Sequence, residues 1–229
     1  MILDFLCWKR YNMKHIILFI KMIIYYPSIK LSALHINKND FELNQISSKM
    51  WATILLKLIK VKSEIKHVNH IPLEDGFIFL AEEKNSYDSI ILLSLFPINI
   101  SFILDEKSKL PYLRNWFNRI QTLFIKSNYD FVENVDVVEN LMINSGNLIV
   151  YMNQLERLNS LNSFIDYAYH TKKTLIPLTL HGTENIMRKG NYHKTVVDIG
   201  LPLHYEEYQT LSKEECILEI KTRMSQSII

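Results

Sequence analysis

Apolar positions in this chain come in short unbroken runs separated by longer stretches in which they recur every three or four residues. Phe77–Ala81, Ile100–Leu104, Leu148–Tyr151 and Leu175–Leu180 are continuous apolar runs, the pattern of strands buried on both faces. The segments between them have helical spacing. A helix is expected over Asp88–Leu95, and another restarts after Pro111 with Leu113, Trp116, Phe117 and Ile120 on one face. A third covers Asp130–Asn144, with Val135, Val138 and Leu141 or Met142 inward, and a fourth covers "NSFIDYAYH". "TLFIKS" and "TVVDIGLPL" add strands, and an extended stretch around Ile65–Val68 leads into the Pro/Gly-marked turn "NHIPLEDG". Ser212, three residues before Glu215, forms a capping box for a last helix with Ile217, Ile220 and Met224 on one face. Strands alternating with helices imply an α/β fold, with a mostly parallel or mixed sheet covered by helices on both faces. The four apolar runs should be core strands of one sheet.

The amino-terminal quarter is patterned differently. Ile16–Tyr26 is apolar but interrupted by Lys21, too short for the roughly 20 residues a bilayer span needs. It carries no small-residue cleavage site of the secretory kind. On a helical wheel Arg10, Lys14 and Lys21 fall within roughly 40° of one another. In "SKMWATILLKLIKVK", Trp51, Ile54, Leu55 and Leu58 face one way, and Lys49, Thr53, Lys57 and Lys60 the other. Two helices with an apolar face, a basic face and a boundary aromatic suit a membrane interface rich in anionic lipid. The competing reading is that both pack on the core. A helical arm, 1–62, followed by one domain, 63–229, is therefore expected.

Composition narrows the chemistry. With 229 residues, 48% hydrophobic and 22% charged, the chain suits one folded domain with a substantial core. A formal net charge of +2 and the lack of a basic–aromatic stripe argue against nucleic acid as a partner. Cys7 and Cys216 lie near opposite ends without zinc-like spacing, and read as reduced structural thiols. Only 5 Gly are present, and no Gly-rich phosphate loop or G-x-S-x-G elbow is found. Among the histidines, His181 is the best candidate base, because it ends the strand "LIPLTLHG", where α/β sites gather.

The polar joints carry the most information. "FIFLAEEKNSYDSIILL" takes a strand through a polar knot into a helix, the kind of junction where enzymes place chemistry. From about Trp51 to the carboxyl end, the order of elements and these joints resemble the lysophosphatidic acid acyltransferase family. "EEKNSYD" falls on that family's N-H-x-S-x-x-D motif, "YMNQLE" on F-P-E-G-T-R, and "LIPLTLHGT" on a late strand that keeps its proline at Pro177.

The resemblance implies binding at the cytoplasmic face of a membrane. It also implies an acyl donor, acyl-CoA or acyl-carrier-protein, a lysophospholipid acceptor, and no cofactor or metal. It makes Glu83 and Asp88 the catalytic positions. The family's base is a histidine, however, and Glu83 stands in its place; an ordinary Glu, with a pKa of about 4.3, is a weaker base at neutral pH. Two carboxylates together repel, unless Lys84 turns inward to offset them.

The implied substrate positions are Lys126 or Ser127 for the phosphate arginine, with Asn153, Gln154 and Glu156 replacing the Glu, Gly and Arg of the other block. Glu156 would repel a phosphate, and Arg157 would rescue the site if the register slips by one. Two functions follow: an acyltransferase-like protein without the family's ordinary catalysis, binding lipid or scaffolding a partner, or a diverged acyltransferase using Glu83 or another base. An unrelated α/β protein with the same order of elements is the third reading.

Overall fold

A computed structural model describes residues 40–107, 114–184, 186 and 193–226. The expected membrane-facing residues Arg10, Lys14 and Lys21, together with Cys7 and Leu113, lie outside the described residues. Helix α1, Phe41–Leu58, leads into β1, Val61–Lys66, and a single 3-10 turn, Val68–His70. The chain then runs β2 (Ile78–Ala81), α2 (Asp88–Leu95), β3 (Ser101–Asp105), α3 (Arg114–Arg119), β4 (Leu123–Ile125), α4 (Val135–Ser145) and β5 (Leu148–Tyr151). After these come α5 (Met152–Arg157), α6 (Leu161–Thr171), β6 (Leu175–His181), β7 (His193–Ile199), α7 (Tyr205–Tyr208) and α8 (Lys213–Gln226).

The seven strands form one sheet in the order β1-β7-β6-β2-β5-β3-β4. The five strands from β6 to β4 are mutually parallel, and the sole reversal is between β6 and β7. The four expected core strands are thus contiguous. Every residue of β2, β3 and β5 is buried, because helices cover both sides. Strand alternation divides the core. Phe79, Ala81, Ile149 and Tyr151 face a layer containing α1 and α2 residues. Ile78, Leu80, Leu148 and Val150 face one built from α4, α6 and α8.

The α8 capping box forms as expected: Glu215 N–H donates to Ser212 Oγ at 3.3 Å, and Ser212 N–H to Glu215 Oε2 at 2.8 Å. Cys216, behind it, is fully buried, and burial pushes its thiol up to about 11, consistent with a structural thiol.

Helix α1 is longer than its sequence pattern suggests and is oriented differently. Its N-cap is Asp40, whose side chain accepts from Leu43 N–H at 3.0 Å. The buried face consists of Asn44, Gln45, Ser48, Ala52, Leu55 and Leu56, so polar residues pack inward at its amino end. Lys49 does not lie on a solvated basic face. Its half-buried ammonium donates to the Ile98 carbonyl at 2.7 Å, and burial lowers its pKa. Lys60 lies beyond the helix in the left-handed region, at φ 61°, while Lys57 is exposed and Trp51 half-buried. β1 starts at Val61, ahead of the boundary expected at 63. Among the described residues no helix is long and apolar enough to cross a membrane.

Candidate functional site

Because β6, β2, β5, β3 and β4 run parallel, their carboxyl ends open on one edge of the sheet, where loops of α/β proteins carry ligands. Along that edge lie Thr183, Glu83 with Asp88, Asn153, Asp105, and finally Lys126.

The turn after β2 is held by its own polar groups. Asp88, the first residue of α2, is fully buried, and its Oδ2 accepts from the Lys84 N–H at 2.7 Å and the Asn85 N–H at 2.9 Å. Burial nevertheless raises its carboxyl to about 6 against those bonds, and the nearby Glu83 carboxylate raises it further. The Thr183 hydroxyl eases the penalty, yet neither Asp88 Oδ1 nor Thr183 Oγ1 completes a hydrogen bond among the described residues. Thr183 is delivered by a turn at Gly182, φ +76°, where a Cβ would fall 2.5 Å from the Lys194 carbonyl oxygen. Beneath Asp88, Ser89 Oγ and Tyr151 OH lie 2.9 Å apart, and burial holds the Tyr151 phenol far above its ordinary range.

Glu83 is fixed through its backbone. Its N–H donates to Asn153 Oδ1 at 3.0 Å, and Asn153 Nδ2 donates back to the Glu83 carbonyl at 2.8 Å. The side-chain amide thus continues the β2–β5 ladder past its last pair, Ala81 with Tyr151. Asn153→Ala removes both bonds from a half-buried peptide, and should cost about 2 kcal/mol in denaturant unfolding. Lys84 does not turn inward to the carboxylates. Its ammonium donates to the Leu180 carbonyl at 2.7 Å and pairs with Glu184 at 3.2 Å. His181 is half-buried at the end of β6. Strand alternation puts it on the same side as Thr179, whose hydroxyl donates to α8 at Met224 O, away from the side α2 covers.

The remaining expected residues separate into two groups. Lys126, Ser127 and Arg157 line an open groove of about 360 Å³ with Asp105, Glu106, Lys107 and Leu158. Arg157 pairs with Asp105 at 3.0 Å, and Lys126 lies 3.7 Å from Glu106. Glu156 is not in this groove. It points to α8 and pairs with Lys221 at 2.8 Å, so it repels nothing bound there, and the cation of this block is Arg157. The reason is helical phase: the strand stops at Tyr151 and α5 starts at Met152, turning successive side chains by about 100°. Gln154 is buried, and its Oε1 accepts from the Asp105 N–H at 2.9 Å, which fixes the groove's floor. Asp105, Thr183, Ser89 and Tyr151 were not singled out in the sequence. The only signal for Thr183 was its place just after a strand-ending Gly.

No family model matches the sequence, and no curated protein sequence does. The comparison of structures is different. The 1-acyl-sn-glycerophosphate (LPA) acyltransferase PlsC from Thermotoga maritima matches with a TM-score of 0.70 and 16% identity, over 95% of each chain. The chain has the fold of an LPA acyltransferase. The ordered blocks that resemble that family in the sequence are therefore carried by a shared fold over nearly the whole chain. Within this acyltransferase-like fold, Glu83 and Asp88 occupy a strand-to-helix turn and the cations Lys126 and Arg157 share a groove on the same edge.

Proposed function

We propose that this chain is an acyltransferase-like protein without acyl-transfer activity, which binds lysophospholipid at the cytoplasmic face of a membrane. The observation that carries the reading is the state of Asp88. Its carboxyl is sealed inside, its Oδ2 is engaged by the backbone of its own turn, and among the described residues no imidazole bonds to it. Asp88 is thus placed to orient a base that none of the described residues supplies. The groove supports the second half. Arg157 and Lys126 stand ready to accept a phosphate in exchange for their carboxylate partners. Acyl-CoA or acyl-carrier-protein would be ligands rather than donors in this reading.

A second reading, a diverged acyltransferase, rests on Glu83. Its half-buried carboxylate lies near enough to Asp88 and Tyr151 to raise both, at the turn where the resemblance places the base.

The membrane part of the proposal rests on the outer face of α1, where Leu43, Ile46 and Met50 are exposed. With Lys57, these side chains fall within roughly 60° on a helical wheel, an apolar strip with a cation suited to an interface. Ile46→Glu combined with Met50→Glu should sharply reduce co-sedimentation with vesicles of anionic lipid containing lysophosphatidic acid. Arg157→Ala should abolish the extra binding contributed by the lysolipid while sparing the anionic-lipid component. Unchanged sedimentation of both variants would remove the proposal.

A further inference from the structure

The groove that holds Lys126 and Arg157 carries the opposite charge as well. Three cations, Lys107, Lys126 and Arg157, share it with two carboxylates, Asp105 and Glu106. The sheet sets both carboxylates in place. Asp105 is the last residue of β3, opposite Ile125 of β4, and the Glu106 N–H donates to the Ile125 carbonyl at 2.9 Å. That register carries Glu106 alongside Lys126 as the two chains leave the sheet.

The carboxylates differ in how they are held. The Asp105 side chain is only 10% exposed; its Oδ1 accepts from the Lys107 N–H at 2.8 Å, and its Oδ2 from the Arg157 guanidinium at 3.0 Å. Its own N–H is taken by Gln154, so Asp105 stays where it is whatever enters the groove. Glu106 is looser. Its oxygens lie 3.7 Å from Arg114 and 3.7 Å from Lys126, beyond hydrogen-bonding distance, and keep capacity to accept.

This arrangement discriminates among phosphate ligands. A phosphate that takes over Arg157 and Lys126 draws a cation away from each carboxylate. For Asp105 the loss is severe, because a nearly buried carboxylate without a cation is far costlier than an exposed one. A ligand that carries its own cation beside the phosphate exchanges two ion pairs for two. A primary ammonium suits that role, with three N–H donors to divide between the two carboxylates. Quaternary ammonium groups are held by aromatic faces, and no described residue lining the groove is aromatic. Resting on the lysophospholipid reading above, we propose that the groove selects a phosphodiester joined by a short spacer to a primary ammonium, the phosphoethanolamine class. Arg157 and Lys126 take the phosphate, and Asp105 and Glu106 take the ammonium. Selectivity among headgroups thus lies in the two carboxylates.

The test is calorimetric titration of the full chain with lysophosphatidylethanolamine and lysophosphatidic acid of one acyl length, below their micelle-forming concentrations. The deacylated headgroups, glycerophosphoethanolamine and glycerol 3-phosphate, are titrated beside them. The ethanolamine lysolipid should bind about tenfold tighter, the worth of one charge-assisted hydrogen bond. Asp105→Asn and Glu106→Gln, made separately, should each narrow that ratio, weakening the ethanolamine ligand while sparing or improving lysophosphatidic acid. Glu64→Gln, whose partner Lys194 lies at the other edge of the sheet, should leave the ratio unchanged. The same order among the headgroups, with weaker binding, identifies a lipid as the source; headgroups that bind as tightly as the lysolipids identify the free phosphodiester. Equal binding of the two lysolipids by wild type, or a ratio unmoved in both carboxylate variants, would overturn the proposal and leave lysophospholipid binding standing. Binding of neither lysolipid would remove the functional reading itself, and this inference with it. The wild-type ratio keeps the proposal decidable even if a variant does not fold.

Discussion

Asp88→Asn should make the protein more stable at pH 7.5, by about 2 kcal/mol. Burial is the chief reason the wild-type carboxyl is pushed up to about 6 in the fold, from an ordinary value of 3.8. A pKa raised by folding means that the native state prefers the protonated form. The Asp88 contribution is therefore without penalty below about pH 4, becomes increasingly destabilising as pH rises from 4 to 6, and carries the whole penalty above that. Two units of displacement correspond to about 3 kcal/mol.

Asparagine avoids the penalty, and its amide oxygen can still accept from the Lys84 and Asn85 N–H groups. Its Nδ2 also gains the orphaned Thr183 hydroxyl as an acceptor. Part of the 3 kcal/mol is returned because neutral acceptors make weaker bonds than carboxylates. In a chain of this size the gain should raise the melting temperature by roughly 4–8 °C. The stability difference between variant and wild type should grow as pH rises from 4 to 6 and level off above that. A variant less stable than wild type at pH 7.5 would mean that the two backbone bonds to the carboxylate outweigh its burial.

The scaffold was largely legible in the sequence, and the site only in part. Runs such as Leu148–Tyr151 are apolar throughout because both sheet faces are covered, so they announced themselves as core strands. The Ser212–Glu215 box is local chemistry and survived folding intact. The start of α5 was not legible, because "LIVYM" stays apolar across the boundary and neither Gly nor Pro marks it. That single boundary decided the phase of the helix, and with it which of Glu156 and Arg157 enters the groove. The faces of α1 misled for another reason. Gln45 and Lys49 look like surface residues until the carbonyls at Ile100 and Ile98 receive them. Thr183 could not have been linked to Asp88 without the β6–β2 pairing, which brings the ends of those strands side by side.

The second large effect concerns Glu83, and it separates the two functional readings. A working general base contributes about 10²–10⁴-fold to rate. Glu83 could supply that only with its carboxylate directed at an acceptor hydroxyl. The clamp by Asn153 fixes only the backbone of Glu83, and Lys84 is directed away to β6. Glu83→His alone should restore little, because Asp88 Oδ2 already serves the turn and Asn153 is committed to clamping the backbone of residue 83. The deciding measurement is acyl transfer by the purified protein, wild type beside Glu83→Ala, from acyl-CoA or acyl-carrier-protein to lysophosphatidic acid. Negligible turnover in both, with lysolipid binding retained, is the expected result. Robust wild-type turnover that collapses in Glu83→Ala would contradict it and establish a carboxylate-based acyltransferase.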